Sequence, residues 1–317
     1  MKYRLKDKVR TLANNSIVIG YLYQKASELK TIRNKKLDDV TFFKRRYKEY
    51  TGKELNLDNP MTFNEKLIWL QLYDHDPVYT LLSDKYKVKD FVTKTIGPRY
   101  VVPVIGVWDS VEKIPFSDLP EEYVLKCNHD CGSIFIKRKG ELVDTKKVRR
   151  RFKKALNRNY YDVGRVWGYK NIEPLVFCEE LIQTVDGKPP KDYKIFCFDG
   201  EPKFAYVASD RGDKTKFDFF DLEWNRIPVR QHYPNSQYDI PKPEQWEEML
   251  ACARKLSKGI PHVRVDFYID AVGQVFFGEM TFCHMSGKEP FEPDHYDALF
   301  GSYLRLPPKK QENGVPC

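Results

Sequence analysis

The segment from Val263 to Phe282 constrains this chain more than any other stretch of its sequence. Apolar and polar residues alternate through Val263-Arg264-Val265-Asp266-Phe267 and again through Glu279 to Phe282, with Gly273 between the two runs. Period-2 alternation on both sides of a glycine specifies a β-hairpin. A turn around Val272-Gly273, of two residues or of four, sets Asp266 against Glu279 and Arg264 against Thr281 on one face. On the other face the same register pairs Val265 with Met280, Phe267 with Gly278 and Ile269 with Phe276. Two carboxylates directly opposed in a sheet repel. A divalent cation offsets that repulsion, and magnesium typically takes one or two carboxylates and completes its shell with water and nucleotide phosphates. Arg264 stands beside the pair, able to meet a phosphate in bidentate fashion. The plainer alternative is a salt-bridge cluster in which Arg264 simply neutralises both acids.

The chain around this hairpin reads as a folded body with a basic head. Its 317 residues suggest two domains. Residues 1–50 carry 14 Lys and Arg against 5 Asp and Glu, which accounts for the whole net charge of +9. The remainder is balanced, which argues against a nucleic-acid groove through the body and leaves no nucleic-acid partner expected. A basic head suits an anionic membrane surface or a solvated helix face. No apolar run approaches the roughly 20 residues of a spanning helix, and Ser16 to Leu22 is too short for a signal peptide. Seven cysteines without scaffold spacing read as reduced thiols, hence a cytoplasmic location.

Thr62 followed by Glu65 predicts a capped helix start. Further helices are expected over Tyr79 to Thr95, Lys146 to Arg158 and Trp246 to Lys258. Strands are expected over Tyr100 to Trp108, Tyr123 to Cys127, Ile134 to Lys137 and Leu175 to Ile182, with an Asp199-Gly200 hairpin joining Tyr193–Phe198 to Pro202–Ala208. Hairpins dominate, so the fold class is mixed α+β. The expected organisation is a basic, mainly helical region over 1–80, two α+β subdomains over 81–180 and 181–306, and a flexible tail over 307–317.

Three other segments carry possible chemistry. Lys126 lies on a strand followed by a polar turn containing Gly132 and Ser133, which can offer an ammonium and backbone N–H groups to phosphates. It lacks the P-loop pattern. Phe177 to Ile182 is an apolar strand ending in Glu179 and Glu180. It can present backbone groups and packing to a purine, or be an ordinary buried strand. Cys127, His129 and Cys131 do not have a usual zinc spacing. Cys283 and His284, being adjacent on a strand, point to opposite faces and are poorly placed as a nucleophile–base pair.

Together these segments resemble the ATP-grasp superfamily: Lys126, the Gly132-Ser133 flap, Glu179-Glu180-Leu181-Ile182, Arg264-Val265-Asp266 and Glu279-Met280-Thr281 occur in that family's order. Over about residues 40–305 the chain is more closely similar to the TupA-like ATP-grasp family, named for teichuronopeptide biosynthesis. The strings that carry this are Asn59 to Leu67, Asp84-Lys85, Val124 to His129, Asp192-Tyr193-Lys194 and Gly278 to Phe282. The resemblance implies two subdomains clamping ATP. Lys126 and Lys85 or Lys89 would hold its phosphates, together with Gly132, Ser133 and Lys194. Glu179, Glu180, Leu181 and Ile182 would cradle adenine, and Asp192 would approach the ribose. Asp266 and Glu279 would hold Mg2+, with Thr281 where the family usually has Asn, and Arg264 would stabilise the transferred phosphoryl group. The usual N-terminal Rossmann-like domain is not evident.

The implied reaction is ATP-dependent carboxylate–amine ligation through an acyl phosphate. The substrate would be an acidic sugar or amino acid, in cell-surface polysaccharide assembly. A glycosyltransferase using a nucleotide sugar, a kinase acting on a sugar and a non-catalytic module binding acidic polymers are the competing readings. The basic head would hold the enzyme near a lipid-linked intermediate at the inner face of the plasma membrane. Deleting residues 1–36 is therefore expected to weaken sedimentation with anionic liposomes; unchanged binding removes that role.

Overall fold

A computed structural model of the protein describes residues 34–210 and 214–309. The basic head and the flexible tail expected from sequence fall mostly outside these residues. The described part of the head is not merely a solvated face. Helix α1 (Asp39–Thr51) starts at Asp38, whose side chain accepts from the Thr41 amide, and stops at left-handed Gly52. It buries Phe42, Phe43 and Tyr47, each contributing about 2 kcal/mol of hydrophobic burial. Helix α2 (Phe63–Tyr73) begins with the reciprocal Thr62–Glu65 capping box that the sequence predicts.

The predicted helix from Tyr79 to Thr95 is two helices, α3 (Val78–Ser83) and α4 (Val88–Thr95). Asp84 breaks it. Its Oδ1 accepts from the amides of Tyr86 and Lys87, and its Oδ2 from the Asn128 side-chain amide. An aspartate that bonds its own downstream backbone competes with helix continuation. The break turns Lys85 away from the helical track, and the Lys85 amide donates to the Asn128 carbonyl.

Two antiparallel sheets follow. The smaller has the order β1-β4-β2-β3 and is built from β1 (Val104–Trp108), β2 (Tyr123–Cys127), β3 (Ile134–Lys137) and β4 (Val176–Glu179). The runs predicted from Tyr100 and from Leu175 to Ile182 are thus shorter; Pro98–Tyr100 forms a 3-10 turn instead. Helix α5 (Thr145–Leu156) covers one face of this sheet with Val148 and Phe152, and α6 (Tyr161–Gly164) follows. The larger sheet has the order β11-β10-β5-β6-β7-β8. Its strands are β5 (Asp192–Phe198), β6 (Glu201–Ser209), β7 (Lys216–Phe220), β8 (Arg226–Ile227), β10 (His262–Ile269) and β11 (Val275–Thr281). The β5–β6 turn has positive φ at both Asp199 (49°) and Gly200 (83°), as a type I′ turn requires. β9 (Arg230–Gln231) and β12 (Phe291–Glu292) form a separate pair.

Helices lie on both faces of the larger sheet. On one face Val263, Val265 and Phe267 pack with α7 (Trp246–Leu256). On the other Phe196, Phe198 and Phe204 pack with α2 and α8 (His295–Tyr303). The connector between the sheets is tied at both ends: the Glu180 amide donates to Pro103, and the Ala271 amide at the hairpin tip donates to Gln183.

The β10–β11 register holds as predicted through Arg264↔Thr281, Val265↔Met280 and Asp266↔Glu279, and then shifts. Phe267 faces Phe277, not Gly278, and Ile269 faces Val275, not Phe276. Gly278 is the extra residue of a β-bulge. A Cβ there would stand 2.8 Å from the Tyr268 ring and 3.1 Å from the Asp266 carbonyl. The turn closes between Asp270 and Gln274, with Gly273 at φ 85°. Gly278→Ala is expected to lower stability by about 2 kcal/mol through overpacking, read as a lower urea midpoint; an unchanged midpoint shows that the bulge has room.

Candidate functional site

Strand alternation puts Asp192 and Lys194 of β5, Tyr206 of β6, Arg264 and Asp266 of β10, and Glu279 and Thr281 of β11 on one face of the larger sheet. The register makes them neighbours, with Lys194 opposite both Asp266 and Tyr206. Arg264 grips Asp266 with two parallel bonds, Nε to Oδ1 at 2.7 Å and Nη2 to Oδ2 at 2.7 Å. Nη2 also reaches Glu279 Oε1 at 3.2 Å and Thr281 Oγ1 at 3.0 Å. Lys194 Nζ donates to Asp266 Oδ2 and lies 3.4 Å from Asp192. Lys85 Nζ lies 3.7 Å from Glu279 Oε2 and donates to the Asp130 carbonyl.

The opposed carboxylates are therefore compensated by protein cations. Lys85, Lys194 and Arg264 balance Asp192, Asp266 and Glu279. Burial raises the Glu279 carboxyl, but Lys85, Lys194 and Arg264 outweigh it and hold it at about 2. Burial pushes the Asp266 carboxyl up against the pull of Arg264 and Lys194. Asp192 is 1% exposed and turned toward Lys194. The set also holds hard oxygens: Glu279 and the Thr281 hydroxyl, which donates to Glu279 Oε1 at 3.1 Å, line the cavity, while Asp266 lies buried behind them with both oxygens bonded to Arg264 and Lys194. No group of three or more His, Cys, Asp or Glu able to hold a metal occurs among the described residues. Such a donor set suits magnesium, which needs few protein carboxylates when phosphates supply the rest.

A second ionic cluster lies on the small sheet. Glu179 is 3% exposed and paired with two lysines, Lys89 from α4 and Lys126 from β2, the latter at 2.5 Å. Lys89 also donates to the Val102 carbonyl at 3.1 Å. Burial raises the Glu179 carboxyl, and Lys126 and Lys89 more than reverse it. Lys85 and Lys89 thus go to different places, Lys85 to Glu279 and Lys89 to Glu179. Glu180 is exposed, with Leu181 and Ile182 half-buried after it. In the flap turn Gly132 has φ 106° and its carbonyl accepts from Arg151, while Ser133 Oγ donates to Asp130. Cys127, His129 and Cys131 do not converge as ligands; the His129 ring bonds the Ala155 carbonyl and the Asn128 side chain.

Sequence reasoning missed the groups behind Arg264. His284 Nδ1 accepts from Arg264 Nη1 at 2.7 Å, and its Nε2–H donates to Gln231 Oε1 at 2.6 Å. It missed Asn128 as well. This wholly buried residue bonds Asp84, the Glu173 carbonyl and the Leu175 amide, joining α3–α4 to β2 and β4. Its place two residues after Lys126 was the available signal. Arg264, Glu279, Thr281, Lys194 and Tyr206 form the sheet-side wall of a cavity of about 360 Å³.

The model of the TupA-like ATP-grasp family matches residues 65–305, so the chain belongs to that family and has the ATP-grasp fold. Comparison with curated proteins finds no match. Among solved structures, the chain is similar to D-alanine–D-alanine ligase from Bacillus anthracis complexed with ATP. That similarity has 14% identity over 64% of this chain and 54% of that one, with TM-score 0.37. D-cycloserine synthetase DcsG is 15% identical over 65% and 63%, with TM-score 0.36. The ATP-grasp ligase PsnB with its minimal precursor is 11% identical over 66% and 54%, with TM-score 0.36. The chain spans about half the length of the D-alanine–D-alanine ligase and of PsnB.

Burial holds the His262 imidazole neutral, down to about 3, with Nδ1–H donating to the Cys197 carbonyl. Below its ordinary 6.5 the unfolded chain takes up a proton that the folded chain excludes, so stability is complete above that pH and lost as pH falls toward 3. Asp297, raised to about 6 by burial, acts in the opposite sense. The measurement is therefore a difference: the urea midpoint is expected to fall more between pH 7 and pH 5 in wild type than in His262→Gln. Parallel curves would show that His262 does not exclude the proton.

Proposed function

We propose that this protein is an ATP- and magnesium-dependent carboxylate–amine ligase. In this reading it attaches an amine or amino acid to an acidic unit, of the uronic-acid type, during cell-surface polysaccharide biosynthesis at the cytoplasmic face of the membrane. The observation that carries it is one sheet face on which Arg264, Lys194, Glu279 and Thr281 wall a cavity, with Asp266 buried behind them and Lys85 beside Glu279. Membership of an ATP-grasp family supports the nucleotide. No helix among the described residues is long and apolar enough to cross a membrane, which suits a peripheral association.

In this reading Lys89 and Lys126, held in place by Glu179, turn their remaining donors to the inner phosphates, and Glu180 to Ile182 face the adenine. Gly132 and Ser133 cover the phosphates, and Lys85 meets the terminal phosphate. Asp192 keeps Lys194 charged and in place. Asp266 and Glu279, with Thr281 beside them, would hold magnesium, which would supply charge neutralisation for the phosphates. The acid's carboxylate oxygen attacks the terminal phosphorus, and the bond to the leaving ADP breaks. Arg264 and Lys85 stabilise the charge on the transferred group. The amine then attacks the acyl carbon of the acyl phosphate, inorganic phosphate leaves and the amine loses a proton. The flap keeps water from the acyl phosphate. None of these steps needs a side-chain nucleophile.

Calorimetry with ATP and with UDP-glucose, each with and without magnesium, tests this. ATP binding that requires magnesium is expected, weakened at least about tenfold (1.4 kcal/mol) in Glu279→Gln and in Lys126→Ala. Undiminished magnesium-ATP binding in Glu279→Gln overturns the metal assignment. UDP-glucose binding without any response to ATP replaces the ligase reading with a glycosyltransferase.

A further inference from the structure

The cavity beside the carboxylate pair has a second wall that the nucleotide reading does not use. It is formed by Arg46 of α1, by Tyr160, Val163 and Gly164 around α6, and by Met285 and Ser286 after β11. Arg46 lies outside the stretch that matches the family. Its Nη1 donates to the Val163 carbonyl at 2.7 Å, and its Nε is buried without a hydrogen-bond partner. Among the described residues it has no carboxylate partner. Arg264, by contrast, has carboxylate partners in Asp266 and Glu279. The guanidinium lies over the Phe42 and Tyr50 rings at the edge of the cavity, and with Nε unused and no carboxylate beside it such a group can receive an anion.

The wall around Arg46 is built to keep that shape. Asp39 at the start of α1 is held by Tyr161 and by Arg165 at 3.5 Å, so α1 is docked on α6. Met285 (φ 48°) and Ser286 (φ 54°) are both left-handed, a conformation such side chains rarely adopt. Gly287 follows them packed on α2, where a Cβ would stand 2.8 Å from Ile68 and 3.0 Å from the Asn64 carbonyl. Strain of this kind persists where the surroundings impose it and is concentrated at ligand sites. Gly164 leaves open the space beside the Ser286 hydroxyl, which a Cβ would approach to 3.1 Å. Tyr160 is a neutral phenol, since burial raises it well above its ordinary range, so it can only donate or accept hydrogen bonds there. About 360 Å³ accommodates one compact acid.

We propose that this cavity binds an acid carrying a second anionic group, and that Arg46 reads that group while the first carboxylate is activated at the sheet-side wall. This rests on the ligase reading. The substrate class is then a dianionic acid: an amino dicarboxylate, or a sugar acid bearing a phosphate.

The test uses the full chain with magnesium-ATP and hydroxylamine, which attacks the acyl carbon of an acyl phosphate, releasing phosphate and leaving a hydroxamate. The dianionic acids are L-glutamate and glucuronic acid 1-phosphate; the matched acids without the second anion are L-glutamine and D-glucuronate. Hydroxamate is expected from one dianionic acid, which identifies its source, with KM at least about tenfold lower than for its matched acid. Arg46→Ala should raise that KM at least about tenfold with kcat little changed, and leave KM for the matched acid and the affinity for magnesium-ATP as in wild type. Arg46→Lys should recover part of the loss. Equal use of dianionic and matched acids overturns the proposal, as does an Arg46→Ala effect shared by both. Normal magnesium-ATP binding without hydroxamate from either dianionic acid also overturns it. Failure of magnesium-ATP binding in wild type is a different result, and overturns the ligase reading instead. Melting temperatures of both variants show whether a loss is one of folding.

Discussion

The guanidinium of Arg264 seated on the carboxylate of Asp266 is the interaction on which the rest of the site depends. Both groups are buried in a sheet interior, where an unpaired charge costs several kcal/mol. Two parallel hydrogen bonds at 2.7 Å make the pair tolerable. The remaining donors of Arg264 then dictate what can stand around it. Nη2 draws in Glu279 and Thr281, and Nη1 requires an acceptor, which the neutral His284 ring provides. Lys194 and Lys85 complete a neutral set of three cations and three carboxylates. Replacing Arg264 or Asp266 leaves its partner unbalanced where water cannot compensate, whereas Glu279 and Lys85 keep some access to solvent.

Much of this was legible in the sequence because strands alternate. Period 2 alone sets Asp266 opposite Glu279 and Arg264 opposite Thr281, and the structure keeps both pairs. The Asp199-Gly200 turn and the Thr62–Glu65 capping box were equally local signals, each specified by the residues that form it. The bulge at Gly278 was not legible, because the obstruction that a side chain would meet there is the Tyr268 ring across the hairpin. The break at Asp84 was hidden for a similar reason: its stabilising partner Asn128 lies 44 residues away. His284 and Gln231 had no sequence signal as supports of Arg264, since their contact depends on the path of the chain after β11. The same holds for α1, whose basic residues suggested a solvated face until Phe42, Phe43 and Tyr47 were seen in the core.

The two sheets divide the labour by charge. The small sheet carries one acid between two lysines, Glu179 with Lys89 and Lys126, while the large sheet carries the balanced set around Arg264. Asn128 joins them physically: through Asp84 it fixes where Lys85 leaves the small-sheet side and meets Glu279. The connector 180–183 is bonded to Pro103 at one end and to Ala271 at the other, which ties the edge of the small sheet to the hairpin tip of the large one.

The docking of α1 has a consequence for inheritance. The stretch that defines the family begins after this helix, and it contains both ionic clusters entire. A match over that stretch therefore reports on the ionic clusters and not on the helix that supplies Arg46 to the far wall of the cavity. A change confined to the cavity-facing side of α1 would reshape the far wall and leave both ionic clusters as they are, while the Phe42, Phe43 and Tyr47 side keeps the helix in the shared core.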